Sequence, residues 1–290
     1  MPIAHAEGCD IHYEVAGSGP PLVFIHGGFG GLGTGRSVAP PRWYDRFASH
    51  FTLVTYDRRS AGRSGFPETP HTMSLFADDL KAVLDAAGIP RAAIWGTSAG
   101  APIAITFALR YPDATSALVV TDAAPWFSRD ESTISRLKER IALLESQGVE
   151  AAYEARRTGG TVGLQLFAAE RPAATPEEEA ARVKNRERIQ AEMAAIPREE
   201  RIAKYGAELR TYSAYADFDV TGTFNSLAMP TLVIWGTGET LFPNAGWEQL
   251  TASMPNVEYL PVPGADHGVT ESNPETLDAI ESFLLRVTAS

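Results

Sequence analysis

A single cysteine, Cys9, stands among 290 residues. No internal disulfide is possible, which suits a reducing compartment, and Cys9 reads as an incidental small residue. Long hydrophobic runs are also missing: no apolar stretch approaches the roughly 20 residues of a membrane-spanning helix. Residues 1–7 lack the basic n-region and the apolar h-region of a secretory signal, so a soluble, cytoplasmic protein is expected. Basic residues are in the minority, 25 Lys and Arg against 36 Asp and Glu, for a net charge of -11. That balance argues against nucleic acid and anionic membranes as partners. No tyrosine has a lysine four residues on, so the Tyr-x-x-x-Lys pair of a short-chain reductase is missing. Repeats and low-complexity segments are missing too. Hydrophobic residues are plentiful, at 44%, and this length buries a sizeable core with room for one inserted subdomain.

The chain is organised around Gly96-Thr97-Ser98-Ala99-Gly100. An apolar, β-prone run, 92–95, enters this Gly-x-Ser-x-Gly turn, and an alanine-rich stretch, 101–111, leaves it. Strand, turn and helix in that order are what a nucleophile elbow requires. The two glycines let strand and helix approach, while the serine sits on a strained corner. Its hydroxyl then stands at a helix N-terminus, where N–H groups and the dipole favour developing negative charge. The same glycine spacing also occurs in turns without chemistry, so the rest of the chain has to decide.

Apolar runs at 22–25, 52–56, 117–120, 231–235 and 257–260 read as buried strands, and 9–15 alternates as a half-buried antiparallel one. Helical spacing over 72–87 and 274–285 alternates with them, together with a short helix near 43–50. Strands alternating with helices imply an open, mostly parallel α/β sheet covered on both faces. Between residues 125 and 229 the rhythm breaks. Charged helical patterns at 132–147, 149–157, 176–195 and 199–214 replace strands. A structureless loop of that length is implausible in a compact domain, and an inserted helical cap is expected there.

Gly28-Phe29-Gly30-Gly31-Leu32-Gly33 matches the Gly-x-Gly-x-x-Gly of a dinucleotide-binding turn, with Asp57 ending the next strand. Thr34-Gly35-Arg36 and Pro40-Pro41 follow it, so no helix opens where a pyrophosphate needs one. A serine nucleophile needs a base. Of six histidines, His5, His12, His50 and His71 lie in early, turn-like or exposed-looking segments, and His26 reads as a structural residue fixing its loop. His267, on a glycine-flanked loop after the last strand, opens at the same carboxyl edge as Ser98. Two carboxylates can orient it: Glu239, after Trp235-Gly236-Thr237-Gly238, and Asp122, after Val119-Val120-Thr121. Both lie between serine and histidine, so chain order does not choose. Ala99 N–H and a second donor from Gly28 or Phe29 are the expected oxyanion hole. Trp126, Phe127, Phe167, Tyr212 and Tyr215 are the expected substrate-pocket lining.

Together these motifs resemble the α/β-hydrolase superfamily over nearly the whole chain. His26-Gly27-Gly28-Phe29-Gly30 resembles its oxyanion loop. Residues 56–64 resemble its Asp-x-Arg-Gly-x-Gly-x-Ser segment, with Ser60 replacing the usual glycine. Gly236 to Pro243 is similar to its acid loop, with Glu239 where aspartate is commoner. Gly264-Ala265-Asp266-His267 is similar to its histidine loop, with Asp266 replacing a glycine. The resemblance implies an eight-stranded, mostly parallel sheet with helices on both faces, a core domain of residues 1–124 and 230–290, and a helical cap at 125–229. It favours Glu239 as the acid because the whole loop matches. Asp122 stays as the alternative, since some relatives, hydrolases of resorcylic lactones among them, carry the acid after that strand.

The activity implied is cofactor-independent, metal-free hydrolysis of a small apolar carboxylic ester or lactone through an acyl-enzyme. An amidase or aminopeptidase, a carbon–carbon bond hydrolase and a haloperoxidase-like enzyme are alternatives on the same residues. A dehalogenase or epoxide hydrolase is disfavoured, because resembling families place aspartate at the Ser98 position. A non-catalytic ligand-binding receptor is the alternative from a different class. The oligomeric state is left open.

Overall fold

The computed structural model describes residues 2–29, 41–158, 175–176, 180, 183–184, 195–242 and 245–288. Its sheet is built on the apolar runs. β3 (Pro21–Ile25), β4 (Thr52–Tyr56), β5 (Ala92–Thr97), β6 (Thr115–Thr121) and β7 (Thr231–Gly236) are buried along nearly their whole length. Such runs need dry cover on both faces, and helices provide it. β8 (Val257–Val262) closes one edge and is half exposed. β2 (Cys9–Ala16) and a short β1 (Ile3–Ala6) close the other. The order is β1-β2-β4-β3-β5-β6-β7-β8, antiparallel in the first two pairings and parallel thereafter.

Alternate side chains of the same strands feed two separate cores. Val23, Ile25, Val54, Ile94, Leu118 and Val120 pack on one face with α2 (Met73–Ala86) and α3 (Gly100–Arg110). Helix α2 begins where the Thr72 hydroxyl accepts from Leu75 N–H at 3.1 Å. It buries Phe76, Leu80, Val83 and Leu84, one stripe of the helix. Leu22, Phe24, Leu53, Trp95 and Val119 point the other way. They meet Phe47 of α1 (Tyr44–Ala48) and Ile280, Phe283 and Leu284 of the C-terminal helix Pro274–Thr288. Trp95 anchors that face, stacked on Trp43 at 4.4 Å with Phe24 edge-on at 5.0 Å.

Between β6 and β7 the described residues contain helices and no strand. α4 (Glu131–Thr158) is broken at Gly148, which has φ 86° and ψ 171°, between the two helical patterns read from the sequence. α5 (Arg198–Tyr215) follows; most of the helix expected over 176–195 lies outside the described residues. The two ends of the segment are paired: Trp126 bridges Asp219, Phe127 N–H donates to Phe218 O at 2.9 Å, and Val220 N–H to Pro125 O at 2.8 Å. The rest of the chain adds α6 (Trp247–Thr251) and α7 (Val269–Ser272), so Pro274–Thr288 is α8.

Two readings need correction. Val15 shares a side with Ile11 and Tyr13 yet is exposed. His71, read as exposed, is buried. Its Nε2 bonds Ser60 Oγ at 2.9 Å and its ring packs edge-on against Phe76. Ser60 itself takes φ 58°, the left-handed conformation expected of the glycine it replaces.

Parallel strands share one carboxyl edge. The loops after β3, β5, β6, β7 and β8, five adjacent strands, therefore converge there.

Candidate active site

Ser98 leaves β5 at φ 50°, an uncommon conformation for a residue with a Cβ and one that costs about 1–3 kcal/mol. The corner is held on both sides: Ser98 N–H donates to Thr121 O at 2.9 Å, and Ser98 O accepts from Ala101 N–H at 3.0 Å. A methyl group at Gly100 would stand 2.2 Å from Ile25 O, and one at Gly96 2.5 Å from Gly100 O. Only glycine lets the elbow close. The loop after β3 crosses against the serine, where a methyl group at Gly27 would lie 3.1 Å from Ser98 Cβ.

His267 comes from the loop between β8 and α7. Its Nε2 lies 3.0 Å from Ser98 Oγ and its Nδ1 2.8 Å from Glu239 Oε2. A carboxylate only accepts, so Nδ1 carries the proton and Nε2 accepts from the serine hydroxyl. The other Glu239 oxygen, Oε1, accepts from Leu241 N–H at 2.7 Å, and the side chain is buried. Burial of the imidazole works to lower its pKa. The bond and charge of Glu239, helped by Asp122 and Glu271, outweigh it and raise the pKa above the ordinary value.

Asp122 lies elsewhere in the same cluster. At φ 57° it ends β6, and its Oδ1 accepts from Gly268 N–H at 2.9 Å and Val269 N–H at 2.7 Å. Its Oδ2 accepts from the Thr97 hydroxyl at 3.0 Å. Burial raises its pKa against those bonds. Asp122 thus holds the backbone just past His267, and Glu239 is the carboxylate bonded to the ring. Asp266 braces the same loop, accepting from His267 N–H at 2.8 Å and Thr240 N–H at 3.0 Å. Burial acts to raise its pKa, and these bonds hold it low. Asp122, Glu239 and His267 also place one potential ligand atom each within 4.8 Å of one another. A cation there would compete with the hydrogen bonds just described.

Two expected oxyanion donors, the N–H groups of Gly28 and Ala99, meet no acceptor among the described residues. Above Ser98 lies an apolar hollow lined by Phe29, Pro102, Trp126, Phe127, Tyr215 and Phe242. Of the residues expected to line a substrate pocket, Trp126, Phe127 and Tyr215 line this hollow. Tyr212 stands behind, its buried ring stacked on Phe29 at 4.2 Å. Phe167 lies outside the described residues. Phe242 and Pro102 were not anticipated, although Phe242 lies within the 236–243 loop that carries Glu239, a position that could have suggested it. Arg58 was also missed. It is a fully buried guanidinium that bonds Tyr215 and the β3 loop, contacts that no local pattern announces.

The sequence profile of the alpha/beta hydrolase fold family matches residues 20–274. A Caulobacter vibrioides protein named "Putative carbamate hydrolase RutD" is 30% identical over 285 residues, covering 94% of this chain and 95% of its own. The 2-(acetamidomethylene)succinate hydrolase of Mesorhizobium japonicum is 29% identical over 274 residues, 92% of this chain and 89% of its own. The enol-lactonase from Burkholderia xenovorans LB400 shares the fold with a TM-score of 0.67 at 21% identity, over 98% of this chain and 99% of its own.

Proposed function

The chain belongs to the alpha/beta hydrolase fold family, and on that premise we propose that it is a serine hydrolase acting on a small, apolar carboxylic ester or lactone. Ser98 Oγ attacks the acyl carbon while His267 Nε2 takes its proton. Glu239 fixes the tautomer and stabilises the imidazolium. The oxyanion is received by the N–H groups of Ala99 and of Gly28 or Phe29. Collapse expels the alcohol, which leaves with the proton from His267. Water, deprotonated by the same nitrogen, then cleaves the acyl-enzyme. Nothing in this scheme calls for a cofactor or a metal.

The observation that carries the reading is the unbroken series from Ser98 Oγ through His267 to Glu239, at 3.0 and 2.8 Å. The hollow measures only about 10 Å³, so a substrate enters by displacing its lining, and the apolar side chains it would meet support an apolar acyl or alkoxy group. Residues 125–229 act as a cap on a core of 1–124 and 230–290, bringing Trp126, Phe127 and Tyr215 over the serine and excluding water. The partner is a small molecule, and the compartment is the cytoplasm. Among the described residues no helix is long and apolar enough to cross a membrane.

A second reading, cleavage of an acyl carbon–nitrogen bond, is favoured by the names of two relatives, one called "Putative carbamate hydrolase RutD" and one a hydrolase of an acetamido compound. A fluorophosphonate probe should label the protein, and Ser98→Ala should abolish labelling. Turnover of p-nitrophenyl esters, lactones, anilides and aryl carbamates then ranks the two readings. Absence of both labelling and turnover in the wild-type protein would overturn them together.

A further inference from the structure

Arg58 is 1% exposed, and its side chain meets no carboxylate among the described residues. A buried guanidinium is costly unless its donors are used. Here neutral acceptors use them. Nη1 donates to Tyr215 Oη at 3.0 Å, and Nη2 donates to Gly27 O at 3.2 Å and, at closer range, to Gly28 O. Nε faces His26 Nε2 at 3.5 Å.

The identity of those carbonyls matters. Gly27 O belongs to the peptide group whose N–H is that of Gly28, and Gly28 O to the one whose N–H is that of Phe29. A peptide that accepts a charge-assisted hydrogen bond on its oxygen is polarised and donates more strongly from its nitrogen. His26 adds to the effect. Burial and the neighbouring Arg58 push its pKa down to about 3, so the ring is neutral, and its Nδ1–H donates to Gly27 O at 2.7 Å. On the other side, the Tyr215 hydroxyl that accepts from Arg58 donates to Ala99 O. One buried cation therefore ties together the β3 loop, helix α5 and the serine elbow.

We propose that Arg58 is a positioning residue of the oxyanion hole. From the side away from substrate it locks the Gly27 and Gly28 carbonyls, aiming and strengthening the N–H donors of Gly28 and Phe29, while its link through Tyr215 keeps the elbow in register with them. The proposal rests on Ser98 being the nucleophile. It also makes the position of α5 matter to chemistry, because Tyr215 is the last residue of that helix.

The test compares an aryl ester with its thionoester in wild-type, Arg58→Met, Arg58→Lys and Tyr215→Phe proteins, with rates expressed per fluorophosphonate-titrated site. Sulfur accepts hydrogen bonds poorly, so the oxygen-to-sulfur rate ratio reports the strength of the hole. Arg58→Met is expected to lower kcat for the oxygen ester about tenfold, less than the loss of a whole donor. KM should stay near its wild-type value and the ratio should narrow by a similar factor. Arg58→Lys should restore part of both, and Tyr215→Phe should narrow the ratio less. A purely structural staple would reduce the titratable fraction and leave surviving sites with wild-type kcat and ratio, which overturns the proposal. If Arg58→Met does not fold, Tyr215→Phe decides, and an unchanged ratio there overturns it equally. A wild-type protein that the probe does not label overturns the nucleophile reading itself. A labelled wild type with an unchanged ratio in the variants overturns only the role of Arg58.

Discussion

Replacing Glu239 by glutamine changes one atom and should nearly silence the enzyme. The reason lies in what the carboxylate's other oxygen does. Oε1 accepts from Leu241 N–H at 2.7 Å while Oε2 meets His267 Nδ1 at 2.8 Å. A glutamine must keep its oxygen against Leu241, because a buried N–H will not face an NH2 group. Its NH2 then points at Nδ1 and forces that nitrogen to accept. The imidazole proton moves to Nε2, where it faces Ser98 Oγ, and the ring can no longer take the serine proton. A triad locked in the wrong tautomer loses about 10³–10⁴-fold in kcat, roughly 4–5.5 kcal/mol of barrier.

A second signature should accompany the loss. With Glu239 in place the His267 pKa lies above its ordinary value of 6.5. The base is neutral only above that pKa, so the acid limb of kcat/KM in the wild type lies above pH 6.5. In Glu239→Gln the lowering effect of burial is opposed only by the remaining charges, and the residual activity should show its acid limb at lower pH. Asp122→Asn is the control. Its oxygen can still accept from Gly268 and Val269, and the Thr97 hydroxyl can turn to accept from the new NH2, so the expected loss is a few-fold. The assay is kcat and kcat/KM against pH on an activated ester, per titrated site. Near-wild-type kcat in Glu239→Gln together with a collapse in Asp122→Asn would refute the reasoning and transfer the role to Asp122.

The His267–Glu239 pair also links stability to pH. Because folding raises the His267 pKa, its contribution is complete below the unfolded value near 6.5 and fades as pH rises through the folded one. Glu239→Gln should therefore cost more stability in urea at pH 5 than at pH 9. Gly27→Ala sets a methyl group 3.1 Å from Ser98 Cβ and 3.6 Å from its Oγ. Small displacements of reacting groups are expensive, so kcat should fall about tenfold while the thermal melt moves little. Asp79→Asn leaves the Arg59 guanidinium, bonded to Asp79 at 2.6 and 2.5 Å with both residues 1% exposed, without its counter-charge. Urea unfolding should show a loss of about 3–5 kcal/mol. The exposed Lys81–Asp85 pair, broken by Asp85→Asn, should cost about 0.3–0.5 kcal/mol.

Much of the fold was readable because buried parallel strands announce themselves as unbroken apolar runs, as at 22–25, 92–95 and 231–235. β1 was not, because four residues with an alternately exposed pattern carry no run, and only their pairing with β2 makes them a strand. His71 was misread for a similar reason. Its neighbours Glu68, Thr69 and Pro70 look like surface, and its burial depends on Ser60 and Phe76. Ser98, Glu239 and His267 stand out in the sequence because each sits in a short loop of recognisable composition, and the structure brings the three side chains into one hydrogen-bonded series. The contacts of Arg58, which the sequence does not single out, and of Tyr212 are not legible locally, because what they touch is distant in sequence. Arg58 bonds Tyr215, 157 residues away, and Tyr212 stacks on Phe29.

Why two carboxylates compete for one imidazole follows from the sheet itself. β6 and β7 are neighbours in parallel register, Thr121 opposite Ile234. Their carboxyl ends are therefore one strand spacing apart, about 4.8 Å. Any acid just past either strand falls near a histidine loop that crosses above both, and Asp122, Glu239 and His267 each place an atom within 4.8 Å of the others. Chain order could not separate them because the topology does not. What separates them is how each oxygen is used. β7 runs on to Gly236 and turns, so that Glu239 approaches the ring from the side of Nδ1. β6 stops at Thr121, and Asp122 spends one oxygen on the two N–H groups that follow the ring. A carboxylate holding the Gly268 and Val269 amides fixes the loop from which His267 projects, and that loop turns Nδ1 toward Glu239. Moving the acid from one strand to the other would require that those two amides, and the Thr97 hydroxyl on the other oxygen, find other acceptors and that the ring turn Nδ1 toward Asp122.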